Sequence, residues 1–366
     1  MLRPQWDRWL PDRWPEPPAW RRFLDFAEGK GTQVNRESLE KNEEKYWADC
    51  EQMKNTYAWN GFQRQQRRGH VFRLPRNTDR KHTSEAKTVQ LAVNAAIHLR
   101  RPLLVTGAPG TGKSSLAHAI AVELGLGPVL TWAVTPRSQL QEGGLYLFDA
   151  VGRLQDTDVI GPDGKRKPSP PSSNYTSLGP VGTAFLPFRL PRVLLIDELD
   201  KGDLQLPHEL LHLFEEGTFE IPQLVRDAHA DPNEPQRVRT ADPGGSWPIT
   251  AGRVQCREFP IIVLTSNGER DFPPAFHRRC IRVEMPLPAA ADLLHLVEAH
   301  FGGVVASRKL DLEQEINAFL EGEGQLDRAT DQLLNAWQLL RHSRNGPTDD
   351  KERRMLRDVL YKQLNA

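Results

Sequence analysis

Apolar positions recur along this chain with two distinct periods. In EAKTVQLAVNAAIHL (85–99), Val89, Ala92, Val93 and Ala96 share one face at helical spacing, which predicts a helix. RPLLVT (101–106) is a short unbroken apolar run that ends in a glycine-rich turn. SSLAHAIAVELG (114–125) then places Leu116, Ile120 and Leu124 on one helical face, with Gly125 as its C-cap. GPVLTWAVT, RVLLIDE and FPIIVLTSN are three further short apolar runs. The run 193–196 has no polar interruption, the pattern of a strand buried on both faces. Short strands alternating with helices predict an α/β fold, a parallel sheet flanked by helices. After Pro286–Pro288 the period is helical again over 291–301, 311–320, 326–342 and 349–364. The expected organisation is an N-terminal extension (1–82), an α/β domain (83–288) and a small all-helical lid (289–366), with no internal repeat.

Two polar stretches interrupt the α/β pattern. Residues 152–182 include GPDGKRKPSPPSSNYTSLGP, and residues 222–255 include DAHADPNEPQRVRTADPGGSWP. Loops of this length in a compact domain are as a rule functional insertions or disordered tips. The extension differs again: Trp6, Trp9, Trp14, Trp20, Trp47 and Trp59 stand there among charges, with few aliphatic residues. Such a segment cannot readily close its own core, so its tryptophans are expected to anchor it to another surface. That surface is either the chain's own main domain or a partner protein.

Composition narrows the function classes. The 366 residues hold 48 Lys plus Arg and 48 Asp plus Glu, so no net field draws the chain to nucleic acid or anionic membrane. A nucleic-acid contact would need a local patch, and RQQRRGHVFRLPRNTDRK (64–81) is the one candidate, with a solvated linker as its plainer reading. Cys50, Cys256 and Cys280 lie far apart without ligand spacing, which fits a reducing compartment. The first twenty residues are charged and proline-broken, unlike a secretory signal, and no run approaches the roughly 18 apolar residues of a membrane helix. The expectation is a soluble, cytoplasmic protein without membrane contact.

The chemistry is concentrated in a few stretches. Gly107-Ala108-Pro109-Gly110-Thr111-Gly112-Lys113-Ser114 matches G-x-x-x-x-G-K-[ST] between a strand and a helix. Glycines let backbone N–H groups approach phosphates, and the helix N-terminus adds positive potential. Lys113 would reach the β- and γ-phosphates, the Ser114 hydroxyl would ligate Mg²⁺, and Ser115 completes the nucleotide-binding run. In VLLIDELDK an apolar strand delivers Asp197 to its carboxyl end, where it would position Mg²⁺; Glu198 would polarise the attacking water. Asn267, ending IIVLTSN, could orient that water. Arg278 and Arg279 in PPAFHRRC offer guanidinium groups suited to charge developing on a transferring phosphoryl group.

These motifs, in this order, resemble the AAA+ ATPases, and within them the MoxR branch. The MoxR-like features are TPRSQLQEGGLY after the second strand and LLIDELDKGD with LLHLFEEGTFEIP, where the family has a similar acidic turn before a β-hairpin. The resemblance spans residues 85–340 and implies a ring, a hexamer, with ATP between subunits. It places a trans-acting finger on Arg279, with Arg278 as rival, and a second sensor, an arginine opening a lid helix, on Arg328. Where the family usually has an aromatic residue after the finger, this chain has Cys280. The resemblance further implies ATP rather than GTP, and a von Willebrand factor A-domain or other protein partner that is remodelled or activated. Alternative readings are a nucleotide-controlled switch or scaffold in a bacterial conflict or signalling system, and a nucleic-acid motor.

Overall fold

The computed structural model describes residues 14–23, 36–53, 57–72, 74, 80–157, 170–229, 231–301, 309–320, 330–342 and 355. Its strands, in chain order, are β1 (Leu103–Thr106), β2 (Leu130–Ala133), β3 (Tyr146–Phe148), β4 (Thr176–Leu178), β5 (Val193–Asp197), β6 (Thr218–Glu220), β7 (Gln236–Arg239), β8 (Ser246–Ile249), β9 (Arg253–Gln255), β10 (Ile261–Ser266) and β11 (Ile281–Glu284). Five of them form a wholly parallel sheet in the order β11-β1-β10-β5-β2.

Alternation decides how this sheet is covered. Leu104, Leu194, Ile196, Ile262 and Leu264 face one apolar cluster, while Leu103, Val105, Val193, Leu195 and Val263 face the other. Helices Arg80–Leu99 and Lys113–Glu123 cover the second face, with Val89, Ala92, Leu116 and Ile120 buried there. A strand with an apolar cluster on both sides must be apolar throughout its middle, and every residue of β10 is buried. At the sheet's edge, β2 alternates buried and exposed positions instead.

The long polar stretches are not simply loops, which corrects that expectation. Part of each forms strands: β4 lies in the first stretch, β7, β8 and β9 in the second. Strands β3-β4-β7-β8 make a second sheet, and β6 pairs with β9 across the second stretch. These strands have three or four residues, too few for a period to emerge from Gly, Pro and charge. What holds them is burial of Leu178, Val238, Trp247 and Ile249 in the first face's cluster. Residues 158–169 of the first stretch lie outside the described residues.

The extension packs on the chain's own domain. In helix Arg36–Gln52, Tyr46 and Trp47 are buried among Phe188 and Trp247, with ring centroids 5.1–5.9 Å apart. Arg192, just before β5, lies 5.0 Å from the Trp47 ring centroid and 5.4 Å from that of Phe188. Its two Nη atoms donate to both carboxylate oxygens of Asp242, at 2.6 and 3.1 Å, and one also to the Pro128 carbonyl. The Tyr46 hydroxyl donates to the same carboxylate. Burial lowers the Arg192 pKa, but Asp242 beside it outweighs that and holds it above the ordinary arginine range. Helix Tyr57–Val71 lies on helix Lys113–Glu123, and a Cβ at Gly69 would come within 2.5 Å of the His118 carbonyl oxygen. Trp14 meets Arg100 at 5.4 Å, whereas Trp20 is 76% exposed. Trp6, Trp9 and the Trp59 side chain fall outside the described residues.

Helices Ala290–Phe301, Lys309–Leu320 and Thr330–His342 bury Leu293, Val297, Leu312, Ile316, Leu333 and Trp337 in a cluster of their own. The helical positions expected over 326–329 and 349–364 lie outside the described residues, apart from Met355. Among the described residues no helix is long and apolar enough to cross a membrane. All three cysteines are buried free thiols.

Removing one member of the Arg192–Asp242 pair strands the other charge in a dry interior. Asp242→Ala should therefore lower stability by about 3–5 kcal/mol in a denaturant titration followed by tryptophan fluorescence. Replacing both, as Arg192→Met with Asp242→Leu, should lose clearly less.

Candidate nucleotide site

The turn after β1 is a backbone concavity. Gly107, Gly110 and Gly112 have φ of +139°, +75° and +88°, in a region that side chains rarely adopt. At Gly107 a Cβ would also press within 3.1 Å of the Met285 carbonyl oxygen, so the site demands glycine twice over. The Thr111 hydroxyl donates to the Ala108 carbonyl at 2.9 Å, closing the turn. Ala108 and Pro109 are half-buried and Gly110 is exposed at the tip. Lys113, first residue of its helix, is buried and donates to the Gly107 and Ala108 carbonyls, each at 2.8 Å. Burial lowers its pKa, and the charges of Asp200, Asp197 and Glu198 oppose that. Ser114 and Ser115 follow in the first turn, half-buried. Loop and helix N-terminus together present the N–H groups and positive potential that suit a phosphate chain.

Strands β5 and β10 bring the carboxylates to this turn. Asp197 ends β5, and its Oδ1 accepts from Ser114 Oγ at 2.7 Å and from Thr265 Oγ1 at 2.6 Å. Thr265 Oγ1 in turn accepts from the Glu198 N–H at 2.9 Å. One buried hydroxyl thus ties both carboxylate residues to β10. Glu198 takes φ +58° and ψ +47°, a left-handed conformation that costs roughly 1–2 kcal/mol outside glycine. The bond to Thr265 helps to hold it. The Glu198 carboxylate, 45% exposed, lies 3.1 Å from Lys201 Nζ. Ser114 Oγ and Asp197 Oδ1 are neighbouring hard oxygen donors, a pair that could hold Mg²⁺ together with phosphate and water oxygens.

Asp200 organises the turn after β10. Its Oδ2 accepts from the Asn267 N–H at 2.9 Å and the Glu269 N–H at 3.2 Å, while Oδ1 is buried without a donor among the described residues. The Asn267 backbone is thereby fixed at the carboxyl end of β10, next to the strand that ends in Asp197. Ser266 Oγ accepts from the Gly268 N–H and closes the same turn.

The arginines stand apart from this cluster. Arg279 ends helix Pro274–Arg279, two residues before Ile281, which pairs with Leu103 at the start of β1. Lys113 lies past the other end of β1, so the length of the sheet, about 13 Å at ~3.3 Å per residue, separates them. Arg279 Nε donates to Glu215 at 2.6 Å; Arg278 is exposed, and its carbonyl accepts from Arg101. Arg328 lies outside the described residues. Helix Thr330–His342 still reaches the turn, because the Thr330 hydroxyl donates to the Gly110 carbonyl.

Residues 102–280, from just before β1 to just before β11, match the AAA domain of the dynein-related subfamily. The match covers 179 of the 366 residues. The chain is accordingly an ATP hydrolase. No curated protein matches it. Among solved structures it is similar to RuvB of Thermotoga maritima, described as a Holliday junction branch migration motor, at 15% identity over 78% of this chain and 73% of that one, TM-score 0.36. A mutant form of the same RuvB gives 16%, 76%, 69% and 0.37. NtrX from Brucella abortus in complex with ADP gives 16%, 77%, 55% and 0.39. Likenesses this remote decide nothing about the activity of this chain.

Sequence reading missed Thr265, Asp200, Glu215 and Thr330. Thr265 reads as one more β-branched strand residue, and Asp200 as a charge in a surface turn. Only the adjacency of β5 and β10 gives the first a partner in Asp197. Thr265→Val preserves shape and removes the hydroxyl. With Asp197 and the Glu198 N–H released, kcat should fall by about 10²-fold, the cost of misplacing reacting groups, while ATP affinity stays near parental. Steady-state ATPase rates and direct nucleotide titration measure the two.

Proposed function

We propose that the chain is a MoxR-like AAA+ ATPase that hydrolyses ATP with Mg²⁺ at the subunit interfaces of a ring, a hexamer, and so remodels or activates a protein partner. The observation that carries this reading is the Ser114–Asp197 contact at 2.7 Å, with Glu198 next in sequence and Lys113 within the same cluster of charge. In the proposed mechanism the turn's N–H groups and Lys113 hold the phosphates, and Ser114 and Asp197 hold the metal. Glu198 draws the proton of the attacking water, whose position Asn267 sets. The metal carboxylate is committed, so a second carboxylate is needed as base.

The position of the arginines supports the ring. Arg279 and Arg278 sit at the amino end of the parallel sheet, and the phosphate turn sits at its carboxyl end. A guanidinium there cannot serve its own chain's γ-phosphate, but it can enter a neighbour's site. Arg328, just before Thr330 in sequence, would sense nucleotide from the lid. A von Willebrand factor A-domain protein is the proposed partner class.

The exposed Arg64, Arg67 and Arg68 on helix Tyr57–Val71 keep a nucleic-acid motor as the second reading. Arg73 and Arg76 lie outside the described residues, as do the side chains of Arg80 and Lys81. That reading requires an ATPase rate stimulated by nucleic acid with a steep salt dependence. A switch or scaffold would instead show slow turnover that a signalling partner resets.

Glu198→Gln should bind ATP and lose about 10²–10⁴-fold in turnover, as expected when a general base is removed. Lys113→Ala should lose nucleotide binding itself, because the ammonium contacts ground-state phosphates. Parental turnover in the first, or parental affinity in the second, would remove the assigned role.

Specific activity should rise with protein concentration as rings form, and Arg279→Ala should bind ATP yet hydrolyse about 10³–10⁵-fold more slowly. Mixing Arg279→Ala with Glu198→Gln chains should restore part of the rate, since some interfaces then pair a sound Glu198 with a sound Arg279. A fully active monomer across the assay range would end the ring model.

A further inference from the structure

Arg279 is held within its own chain by a relay that begins in the N-terminal segment. Its Nε donates to Glu215 Oε1 at 2.6 Å, and Nη1 makes a long contact of 3.4 Å to the Ala275 carbonyl. Glu215 stands one residue before the end of helix Leu206–Glu216. The same carboxylate oxygen lies 3.8 Å from Nη2 of Arg21, a residue whose side chain is only 6% exposed. Arg21 is fixed in turn: Nη1 donates to the Phe214 carbonyl at 2.6 Å, and the guanidinium lies 5.8 Å from the Phe259 ring centroid.

The segment around Arg21 is docked rather than draped. Phe23 stacks on Phe259 at 5.5 Å, its carbonyl accepts from the Gln255 amide, and its ring leaves no room for a Cβ at Gly217. Burial lowers the Arg21 pKa, the Glu215 charge raises it, and Arg101 and Arg279 lower it again. Glu215 is thus a shared counter-charge within a small cluster of guanidinium groups.

This geometry matters for a side chain that must reach across an interface. An arginine carries about 2 kcal/mol of rotamer entropy, which a freely mobile finger would lose in each transition state. A clamp on Nε restricts the stem and leaves Nη2 and most of Nη1 for phosphate oxygens. An ordinary exposed ion pair would contribute little at this level of exposure, 42% for both partners. Here one partner is also tied to a buried arginine from another segment.

We propose that Glu215 is a positioning residue that presents Arg279 to the neighbouring subunit, and that the docked N-terminal segment sets Glu215 through Arg21. The proposal rests on the trans-finger reading above. It gives the N-terminal extension a role in hydrolysis.

The test uses the full chain at concentrations where rings form, with steady-state rates over a range of ATP. Glu215→Ala should lower kcat about tenfold or more and leave KM within about twofold, because its own Lys113 still binds the ground state. Arg21→Ala should lower kcat several-fold in the same direction. Mixing Glu215→Ala with Glu198→Gln chains should restore part of the rate, which a general packing defect would not do. Should Glu215→Ala fail to fold, Glu215→Gln decides: it keeps an acceptor without the charge and should lose about threefold to tenfold in kcat. Parental kcat in the Glu215 variants, with Arg279→Ala inactive, overturns the positioning role and leaves the finger standing. A loss in Glu215→Ala that mixing does not restore also overturns it. Parental activity in Arg279→Ala removes the finger reading itself, and this proposal with it.

Discussion

A guanidinium with almost no solvent contact holds three parts of this molecule together. Arg192 comes from the core domain, Asp242 from the segment between β7 and β8, and Tyr46 and Trp47 from the N-terminal extension. Taking a cation and a carboxylate out of water is expensive, and only good geometry with further hydrogen bonds recovers that cost. The arrangement supplies both: two parallel N–H···O bonds, a backbone carbonyl, a phenol and two aromatic faces. Each of the three segments is therefore needed to satisfy the other two. Arg192 immediately precedes β5, and β5 ends in Asp197. The clamp that seats the extension thus also anchors the strand that delivers a carboxylate to the nucleotide turn.

At that turn, carboxylates of one chemical type sit in different surroundings. Asp197 is held by two hydroxyl donors, which fix its orientation. Glu198 is half-exposed with a left-handed backbone, and its carboxylate pairs with Lys201 rather than with a hydroxyl. Asp200 is buried and spends one oxygen on two N–H groups of the Asn267 turn. Thr265 links the first two residues through a single oxygen. The site is a hydrogen-bonded lattice between two adjacent strands, and its precision comes from their pairing rather than from any one loop.

The N-terminal extension belongs to the working domain. Helix Tyr57–Val71 presses on the Lys113–Glu123 helix at Gly69, and the Phe72 ring lies where a Cβ at Gly112 would come within 3.2 Å. Farther up the chain, Arg21 reaches Glu215, and Glu215 reaches Arg279. The extension thus contacts the phosphate turn at one end of the sheet and, at the other, the carboxylate that holds Arg279. It has no sheet of its own among the described residues and gains its order from these contacts, in keeping with its charged, tryptophan-rich composition.

Features whose signals are local could be read directly from the order of residues. The phosphate turn follows from glycines that only particular backbone angles require, and the core strands from apolar runs that only a doubly covered sheet can bury. Gly107–Ser114, Asp197, Glu198 and Asn267 could be named as candidates because strand, turn and chemistry are contiguous there. Whatever depends on distant pairing emerged only from the packed chain. Strands of three or four residues in the two polar stretches carry too little periodicity to announce themselves, and they exist because they bury Trp247 and Val238 against residues far away in the chain. Thr265 and Asp200 acquired roles only when β10 came to lie beside β5. Glu215 acquired one only when Arg21 and Arg279, from opposite ends of the described domain, met at the same carboxylate. A local pattern records what a residue can do, and its partner is fixed only by the packing that brings the two together.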